Sequence, residues 1–406
     1  MKTRSGTRVR AATTILIATA VAGLSTYILQ AVVLRALGAD EYLRFSVMWS
    51  VLYLIVGALA GLQQEVARAS HPSGPGGDSG GGRLAWFALA GVVVVFVLVA
   101  ATGALWGPVA VPSDTTPTVL MIAIGSAAYV GVSVLSGSMY GLQRWGVIAT
   151  MIALDAGLRL VGVAVALVLA PTILAFAVAV VLPFPLSFVL VWLWVRGSVR
   201  GRISIDVAPR QLTWNAARTI VGAAATAVMV SGFPFLLGIT SAGQTAAAAA
   251  VIAVVTLTRA PLVIPVMAMQ SFLVVHFRDL GARAGRFLTL TVLAVLAVAG
   301  VGALLAALFG RAVLDFFDPG LPITSAAIAG IVFSAGLTAA LCVSGSATLA
   351  RNLHGIFTTG WVIAALTVIG GLLLPLDPAP KSIIALVLGP LLGLITHVVG
   401  LRTSRS

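Results

Sequence analysis

Long apolar runs separated by short polar turns constrain this chain more than any other feature. A transmembrane helix needs about 20 predominantly apolar residues, and we count twelve runs of that length among the 406 residues. The sequence therefore predicts an all-α integral membrane protein with about 12 transmembrane helices. The predicted spans are residues 11–34, 43–66, 84–106, 118–140, 146–169, 172–195, 214–238, 246–275, 287–309, 326–349, 356–375 and 383–401.

Composition excludes the classes of protein that face water on all sides. Hydrophobic residues make up 60% of the chain and charged residues only 9%, whereas a soluble domain has about 25% charged residues. A soluble enzyme, a secreted module and a disordered chain are therefore excluded. The net charge of +13 is explained by basic membrane-protein loops, so we expect the lipid bilayer, and no nucleic acid, as a partner.

Arginine and lysine residues cluster on one side of the predicted membrane. An even number of spans places both termini on the same side, where 17 of the 24 basic residues fall; four fall on the opposite side and three within spans. Cytoplasmic loops retain basic residues. We therefore expect a multi-pass protein of the cytoplasmic (inner) cell membrane with both termini in the cytoplasm.

Two short self-matches indicate an internal repeat. Ser136-Gly137-Ser138 recurs as Ser344-Gly345-Ser346, and Gln63 matches Gln270 at almost the same offset. The repeat predicts two pseudo-symmetric six-helix bundles around a central cavity, which is an architecture typical of transporters. The predicted bundles are residues 1–200 and 201–406, joined by a basic connector at 196–213.

Three charged residues lie deep inside predicted spans, where charge is costly. Asp155 and Arg159 are four residues apart and share a helix face, and Arg259 precedes Pro261 and Pro265, which interrupt helical hydrogen bonding. These positions favour a cavity in which Arg159 and Arg259 bind substrate and Asp155 binds a coupling ion. The alternatives are a self-neutralising Asp155–Arg159 pair that fixes helix packing, and an ion pair between Arg259 and an unidentified carboxylate.

Further polar residues lie near the predicted cytoplasmic ends of spans. Arg218 can bind substrate or extend to the membrane interface, and Glu65 can couple an ion or pair with an arginine. The glutamines can line the inner mouth or join helices by hydrogen bonds. The candidate substrate-binding residues are thus Arg259, Arg159, Arg218, Gln63, Gln64 and Gln270, and the candidate ion-coupling residues are Asp155 and Glu65.

Glycines four residues apart predict close helix packing. This spacing lets two helix backbones approach each other, and it carries no information about the substrate. The pairs are Gly57 and Gly61, Gly137 and Gly141, and Gly389 and Gly393.

No motif indicates catalysis, a metal or a cofactor. The four histidines have no metal-ligand spacing, and Cys342 is the only cysteine. No H-E-x-x-H, G-x-S-x-G or Walker sequence occurs. We therefore expect a non-enzymatic transporter with no metal or cofactor, driven by an ion or substrate gradient instead of a P-loop ATPase.

The first two spans carry a family resemblance. Leu34-Arg35-Ala36-Leu37-Gly38-Ala39-Asp40-Glu41-Tyr42, then Phe45 and the run from Gly57 to Glu65, resemble the oligosaccharide (polysaccharide) flippases of the multidrug/oligosaccharidyl-lipid/polysaccharide exporter superfamily. Leu43 stands where many members have glycine. The span count, the duplication and the short loops extend the resemblance over the whole chain.

The resemblance implies alternating access between two lobes and a specific substrate. That substrate is a polyprenyl-diphosphate-linked oligosaccharide, moved from the inner to the outer leaflet for cell-surface polysaccharide synthesis. Cavity arginines suit such a substrate, because guanidinium groups bind diphosphate well. A polysaccharide polymerase and glycosyltransferases are the implied protein partners.

Two other functions stay open at this point. One is a small-molecule or drug exporter of the same fold, although a cation exporter needs a more acidic cavity than Asp155, Arg159 and Arg259 provide. The other is a membrane glycosyltransferase with catalytic acids at Asp40 and Glu41, although such enzymes commonly have a sizeable outer domain. In the transporter reading, Asp40 and Glu41 simply belong to a turn between helices.

The predicted orientation can be tested by cysteine labelling. In a Cys342→Ser background, we expect an impermeant thiol reagent on whole cells to label Asp318→Cys and to leave Ser79→Cys unlabelled, because the loop at residues 71–82 is predicted to be cytoplasmic. Labelling of both positions after the membrane is permeabilised is the control. Labelling at position 79 in intact cells would contradict the topology.

Overall fold

The fold is almost entirely helical. The computed structural model describes residues 2–72, 81–110, 115–199, 202–205, 207–241, 243–351 and 353–404. The elements up to the mid-chain connector are α1 (Lys2–Leu37), α2 (Ala39–Ala69), β1 (Ser70–Pro72), α3 (Gly81–Ala110), α4 (Thr115–Gly141), α5 (Trp145–Leu169), α6 (Ile173–Val181), α7 (Pro183–Val199) and β2 (Ile203–Ile205). The later elements are α8 (Pro209–Val230), α9 (Phe233–Thr240), α10 (Thr245–Ala268), α11 (Gln270–Leu280), a 3-10 turn (Gly281–Arg283), α12 (Ala284–Phe317), α13 (Ser325–Ala350), α14 (His354–Leu372) and α15 (Pro378–Thr403).

The all-α membrane fold is confirmed. Within the described chain, nine helical spans are long and apolar enough to cross a membrane, or ten if α8 and α9 count as one bent span. The other two predicted spans coincide with shorter apolar segments, Val21–Leu37 and Thr245–Thr258. Each of the twelve predicted spans thus falls on helix.

Two predicted spans are interrupted instead of continuous, whereas the sixth forms one apolar span, Ile173–Gly197, in which only Leu182 separates α6 from α7. The seventh divides into α8 and α9 at Ser231 and Gly232, and the eighth into α10 and α11 at Met269. Hydropathy does not detect such breaks, since the residues around them are as apolar as the helices.

The described residues group into two compact units. Unit 1 comprises Met1–Ser25 and Val47–Gly232, and unit 2 comprises Thr26–Ser46 and Phe233–Ser406. Each unit therefore combines segments that are distant in the sequence. The division at residue 200 stays a prediction about the repeat in the sequence.

One buried helix in each unit carries a copy of the repeated tripeptide. In unit 1, α4 is largely buried and packs along α3, whose apolar side chains are largely exposed. In unit 2, α13 is largely buried and packs along the exposed apolar helix α12. Ser136–Ser138 lies in α4 and Ser344–Ser346 in α13, so the repeated sequence occupies similar helices.

A glycine, two acidic residues and two threonines lie at helix ends and favour them. Gly38 has a φ of +74° and separates α1 from α2. Asp40 and Glu41 then lie in the first turn of α2, where negative charge interacts favourably with the helix dipole. Thr172 and Thr324 cap α6 and α13 by accepting a backbone hydrogen bond from the first turn.

A two-stranded antiparallel sheet is an element that the sequence did not predict. β1 pairs with β2, and His71 lies opposite Ser204. β1 directly follows α2, and β2 belongs to the connector between α7 and α8. The pairing brings together two segments that were both predicted to be cytoplasmic, so it agrees with the predicted topology.

Glycines of α2 make close contact with α8 in unit 1. A Cβ atom on Gly61 would overlap the backbone of Thr219, and one on Gly57 would overlap the Cβ of Ala227. These glycines let the two helix backbones meet, as the four-residue spacing predicts.

The other two predicted glycine pairs also lie at helix crossings. Gly137 and Gly141 of α4 lie against the end of α2 and the start of β1, and Gly389 lies against α14 beside Ala364. Gly393 lies against the backbone of Gly360, also on α14. All three predicted packing pairs are therefore confirmed.

We expect Gly61→Ala to lower the thermal stability of the protein. The added methyl group has no space next to the Thr219 carbonyl, and overpacking of this kind costs about 1–3 kcal/mol. The measurement is the unfolding temperature in detergent, followed by size-exclusion chromatography of heated samples. The matched control is Gly222→Ala on α8, where nothing lies within 4 Å of a Cβ atom; equal losses in both variants would contradict the packing argument.

Candidate functional site

The predicted Asp155–Arg159 pair forms the centre of a buried polar site in unit 1. A terminal guanidinium nitrogen of Arg159 donates a hydrogen bond to Oδ2 of Asp155 at 2.7 Å. The Arg159 side chain is 7% exposed and that of Asp155 25% exposed. Both residues lie near the middle of α5, at the depth where an ion pair needs further partners.

Three aromatic rings surround the guanidinium group. The Cζ atom of Arg159 lies 6.0 Å from the ring centre of Trp49, 5.6 Å from that of Tyr53 and 5.3 Å from that of Phe184. Trp49 and Tyr53 stack on each other with centres 4.6 Å apart. Cation–π attraction therefore supplements the single ion pair in stabilising the buried charge.

The rings come from helices other than α5. Trp49 and Tyr53 are four residues apart on α2, so they share a helix face. Phe184 lies in the first turn of α7, and Tyr129 of α4 contacts its edge at 5.1 Å between ring centres. The site is therefore enclosed by α2, α4, α5 and α7.

Several polar atoms at this site have no hydrogen-bond partner among the described residues. The Asp155–Arg159 contact uses one oxygen and one terminal nitrogen, so Oδ1 of Asp155 and Nε of Arg159 stay without a partner. The hydroxyl of Tyr53 is also buried without a partner. Buried polar atoms are normally hydrogen-bonded to protein or water, so these atoms have hydrogen-bonding capacity that the described residues do not use.

α4 adds a polar face next to this site. Ser126, Tyr129 and Ser133 are spaced by three and four residues, which places them on the same face of the helix. The hydroxyl groups of Ser126 and Ser133 are buried without a hydrogen-bond partner among the described residues. The helix that contributes Tyr129 therefore provides additional polar groups inside the unit.

Glu65 belongs to a separate polar cluster near the C-terminal end of α2. Both of its carboxylate oxygens accept hydrogen bonds from Arg68, at 2.7 and 2.8 Å. The side-chain nitrogen of Asn215 on α8 donates a third at 3.0 Å. Glu65 is 3% exposed, so it is a buried, well-satisfied carboxylate, and the predicted pairing with an arginine is confirmed.

The remaining candidate residues do not join these two clusters. In unit 1, Arg218 and Gln64 are exposed and Gln63 is partly exposed, and in unit 2 Gln270 is partly exposed at the start of α11. Arg259 lies within α10, and its side chain lies outside the described part of the structure. The substrate-binding roles of all five stay predictions.

His397 was not singled out by spacing, yet it is fully buried in unit 2. Its Nδ1 lies 2.9 Å from the Ser344 hydroxyl, and its Nε2 donates to the carbonyl oxygen of Phe357 at 3.1 Å. Its ring also stacks on the Phe357 ring. These contacts join α13, α14 and α15, and they explain the histidine as a packing residue.

Among the described residues, no group of three His, Cys, Asp or Glu side chains could hold a metal ion.

Comparison with curated proteins identifies relatives along almost the full chain. The uncharacterized protein Mb3654 of Mycobacterium bovis (strain ATCC BAA-935 / AF2122/97) is 32% identical over 404 residues, which cover 95% of this chain and 90% of the relative. The uncharacterized protein Rv1510 of Mycobacterium tuberculosis (strain ATCC 25618 / H37Rv) is 31% identical over 392 residues with the same coverage. No protein-family model matches the chain.

Solved structures with a similar fold are membrane transporters. An inward-facing multidrug resistance MATE family transporter of the MOP superfamily gives a TM-score of 0.72 at 14% identity, covering 95% of this chain and 98% of the transporter. A MATE protein in the bent conformation gives a TM-score of 0.62 at 14% identity, covering 97% of this chain and 95% of the MATE protein. A MOP superfamily transporter from Pyrococcus furiosus gives a TM-score of 0.56 at 13% identity, covering 98% of this chain and 96% of the transporter. That transporter is described as having a binding pocket of reverse polarity, which suggests a different function. The chain thus has the MOP transporter fold.

The energetic coupling of Asp155 and Arg159 can be measured by a double-mutant cycle. We expect Arg159→Met to lower stability by about 3 kcal/mol, because it leaves a carboxylate buried without its partner. Asp155→Ala in the Arg159→Met background should restore part of that loss. The measurement is unfolding in detergent for the two single variants and the double variant. Losses that simply add would contradict an interaction between the two side chains.

Proposed function

This chain belongs to the protein family of Mb3654 and Rv1510 and has the MOP transporter fold, and from that premise we propose that it is a lipid-linked oligosaccharide flippase. The proposed substrate is an oligosaccharide joined through a diphosphate to a polyprenyl lipid. The protein would move it from the inner to the outer leaflet of the cytoplasmic membrane by alternating access. The product would serve cell-surface polysaccharide synthesis.

The observation that carries the proposal is the set of unpartnered polar atoms beside aromatic rings. Nε of Arg159 can donate a hydrogen bond, Oδ1 of Asp155 can accept one, and the Tyr53 hydroxyl can do both. A sugar hydroxyl also donates and accepts, so neighbouring hydroxyls on one sugar can satisfy all three atoms.

The formal charges of the site suit the glycan better than the diphosphate. Asp155 already neutralises Arg159 at 2.7 Å, so the pair has no net charge to offer a doubly charged group. We therefore assign the glycan to the Asp155–Arg159 site. The diphosphate needs an arginine that is not neutralised in this way, and Arg259 is the residue we propose for that contact on the basis of its depth in the sequence.

The same site argues against a cationic drug as the substrate. An organic cation would use the aromatic rings for cation–π contact, but the guanidinium of Arg159 already lies over Trp49, Tyr53 and Phe184. A second cation would be repelled by it. The exporter function known for some proteins of this fold is therefore the less well supported alternative.

Asp155 is the better supported of the two proposed coupling residues. One of its oxygens has no hydrogen-bond partner among the described residues, so a proton or sodium ion can bind there. Glu65 already accepts hydrogen bonds on both oxygens. A cation at Glu65 would have to displace Arg68 or Asn215.

Reconstitution with a labelled substrate tests the proposal. Liposomes carry a polyprenyl-diphosphate oligosaccharide whose glycan bears a nitrobenzoxadiazole group, and external dithionite destroys the label in the outer leaflet. We expect about half of the label to be destroyed without protein and all of it with protein. The half of the label that starts in the inner leaflet is destroyed only as the protein moves it outward. Tyr53→Phe should slow this loss by roughly three- to tenfold, because it removes one hydrogen bond.

Controls separate the site from general damage to the fold. Tyr140→Phe removes a hydroxyl elsewhere in unit 1 and should leave the rate unchanged. Asp155→Asn should abolish the response to an imposed proton or sodium gradient. Protein that leaves half of the label protected, or that transports ethidium instead, would contradict the flippase assignment.

A further inference from the structure

A groove at one end of unit 2 combines an apolar floor with arginines at its rim. It lies where α12 begins and where α13 and α15 end, and its volume is about 420 Å³. The predicted topology places this end of the unit on the cytoplasmic side. Its lining includes Arg286, Arg351, Arg402, Val292, Leu394 and Val398.

Three arginines from three different helices converge on this groove. Arg286 comes from the first turn of α12, Arg351 follows α13, and Arg402 lies in the last turn of α15. Arg351 donates a hydrogen bond to the carbonyl oxygen of Leu401 at 3.1 Å, which fixes it against α15. None of the described side chains that line the groove is acidic.

Helix capping explains two of these arginines but not the third. A basic residue at a helix C-terminus interacts favourably with the helix dipole, as Arg351 and Arg402 do. Arg286 lies at a helix N-terminus, where the dipole opposes a positive charge, and the first turn of α12 contains no acidic residue. An anion in the groove would offset this unfavourable placement.

The rest of the groove is shaped for a hydrocarbon chain. Val292 and Leu293 of α12 and Leu394 and Val398 of α15 form its sides. Phe277 belongs to a buried apolar cluster beneath it. An apolar channel that ends in cationic groups complements an amphiphile with a negatively charged head.

We propose that this groove binds an anionic phospholipid of the cytoplasmic leaflet. Its phosphate lies between Arg286 and Arg402, which can each donate two parallel hydrogen bonds to phosphate oxygens. One acyl chain lies along Val292, Leu394 and Val398. This site goes beyond the proposed transport function, because the lipid binds here whether or not a substrate is moved.

Native mass spectrometry of delipidated protein tests the site. The probes are phosphatidylglycerol, which is anionic, phosphatidylcholine, which is zwitterionic, and glycerol phosphate, which has no acyl chain. We expect phosphatidylglycerol to bind at least tenfold more tightly than the other two probes. The double variant Arg286→Gln/Arg402→Gln should weaken its binding by roughly tenfold or more, since each basic residue near a membrane surface contributes to anionic lipid binding.

Two further variants make the result specific. Arg196→Gln/Arg210→Gln removes two exposed arginines of unit 1 that were predicted to lie on the same side of the membrane, and it should leave the affinity unchanged. Val292→Trp fills the apolar part, so it should weaken phosphatidylglycerol binding and leave the binding of glycerol phosphate unchanged. Equal affinity for both lipids, equal loss in both double variants, or tight binding of glycerol phosphate alone would each overturn the proposal.

Discussion

The close packing of α2 in unit 1 is the constraint on which the candidate site depends. Lipid gives no hydrophobic drive for helices to associate, so they meet through small residues and polar contacts. Gly57 and Gly61 of α2 lie against α8, and Gly137 of α4 lies against α2. The same helix carries Trp49 and Tyr53 to the Arg159 guanidinium. The glycine contacts therefore fix the helix that forms one wall of the site.

The aromatic contacts account for the polar atoms that stay without a partner at the site. Backbone groups inside α2 are satisfied within the helix, so its side chains are left to make the contacts with α5 and α7. The aromatic rings from α2 and α7 stabilise the guanidinium without neutralising it. They thus leave Nε of Arg159 and Oδ1 of Asp155 available. A bidentate ion pair in the same place would have consumed both atoms.

Much of the fold could be predicted from the sequence, because each apolar run forms its helix from local residues. The Asp155–Arg159 pair was predictable for the same reason, since its four-residue spacing fixes the contact. The rings of Trp49, Tyr53 and Phe184 were not predictable, because they reach Arg159 from helices about 25 and 110 positions away along the chain only after the unit has packed. The hydrogen bond that Asn215 of α8 donates to Glu65 was not predictable either, because these two residues are also far apart along the chain. A signal did exist for α2: two aromatic residues four apart, beside a glycine pair that predicts close packing.

The arginines discussed above divide into a buried, ion-paired class and an exposed class at helix ends. Arg159 is buried at mid-helix and is neutralised by a carboxylate, whereas Arg286 and Arg402 are exposed at helix ends around an apolar groove. A lone guanidinium at the position of Arg159 would be too costly in hydrocarbon, so Asp155 stabilises the buried charge. Charges at the membrane surface need no such partner, because water and lipid headgroups solvate them.

The carboxylate that stabilises the buried arginine also gives the proposed cycle a means of coupling. In the proposed complex, Oδ1 of Asp155 accepts a hydrogen bond from the glycan, and the same oxygen would bind a proton or sodium ion. The cation and the glycan therefore compete for one atom. Since coupling between two ligands is reciprocal, each would weaken the binding of the other. A cation that binds from the outer side would thus release the substrate there, and its dissociation on the inner side would return Asp155 to the form that binds the glycan. A paired arginine can therefore couple an inward ion gradient to outward transport, whereas an arginine without a carboxylate partner would offer the cation no binding group.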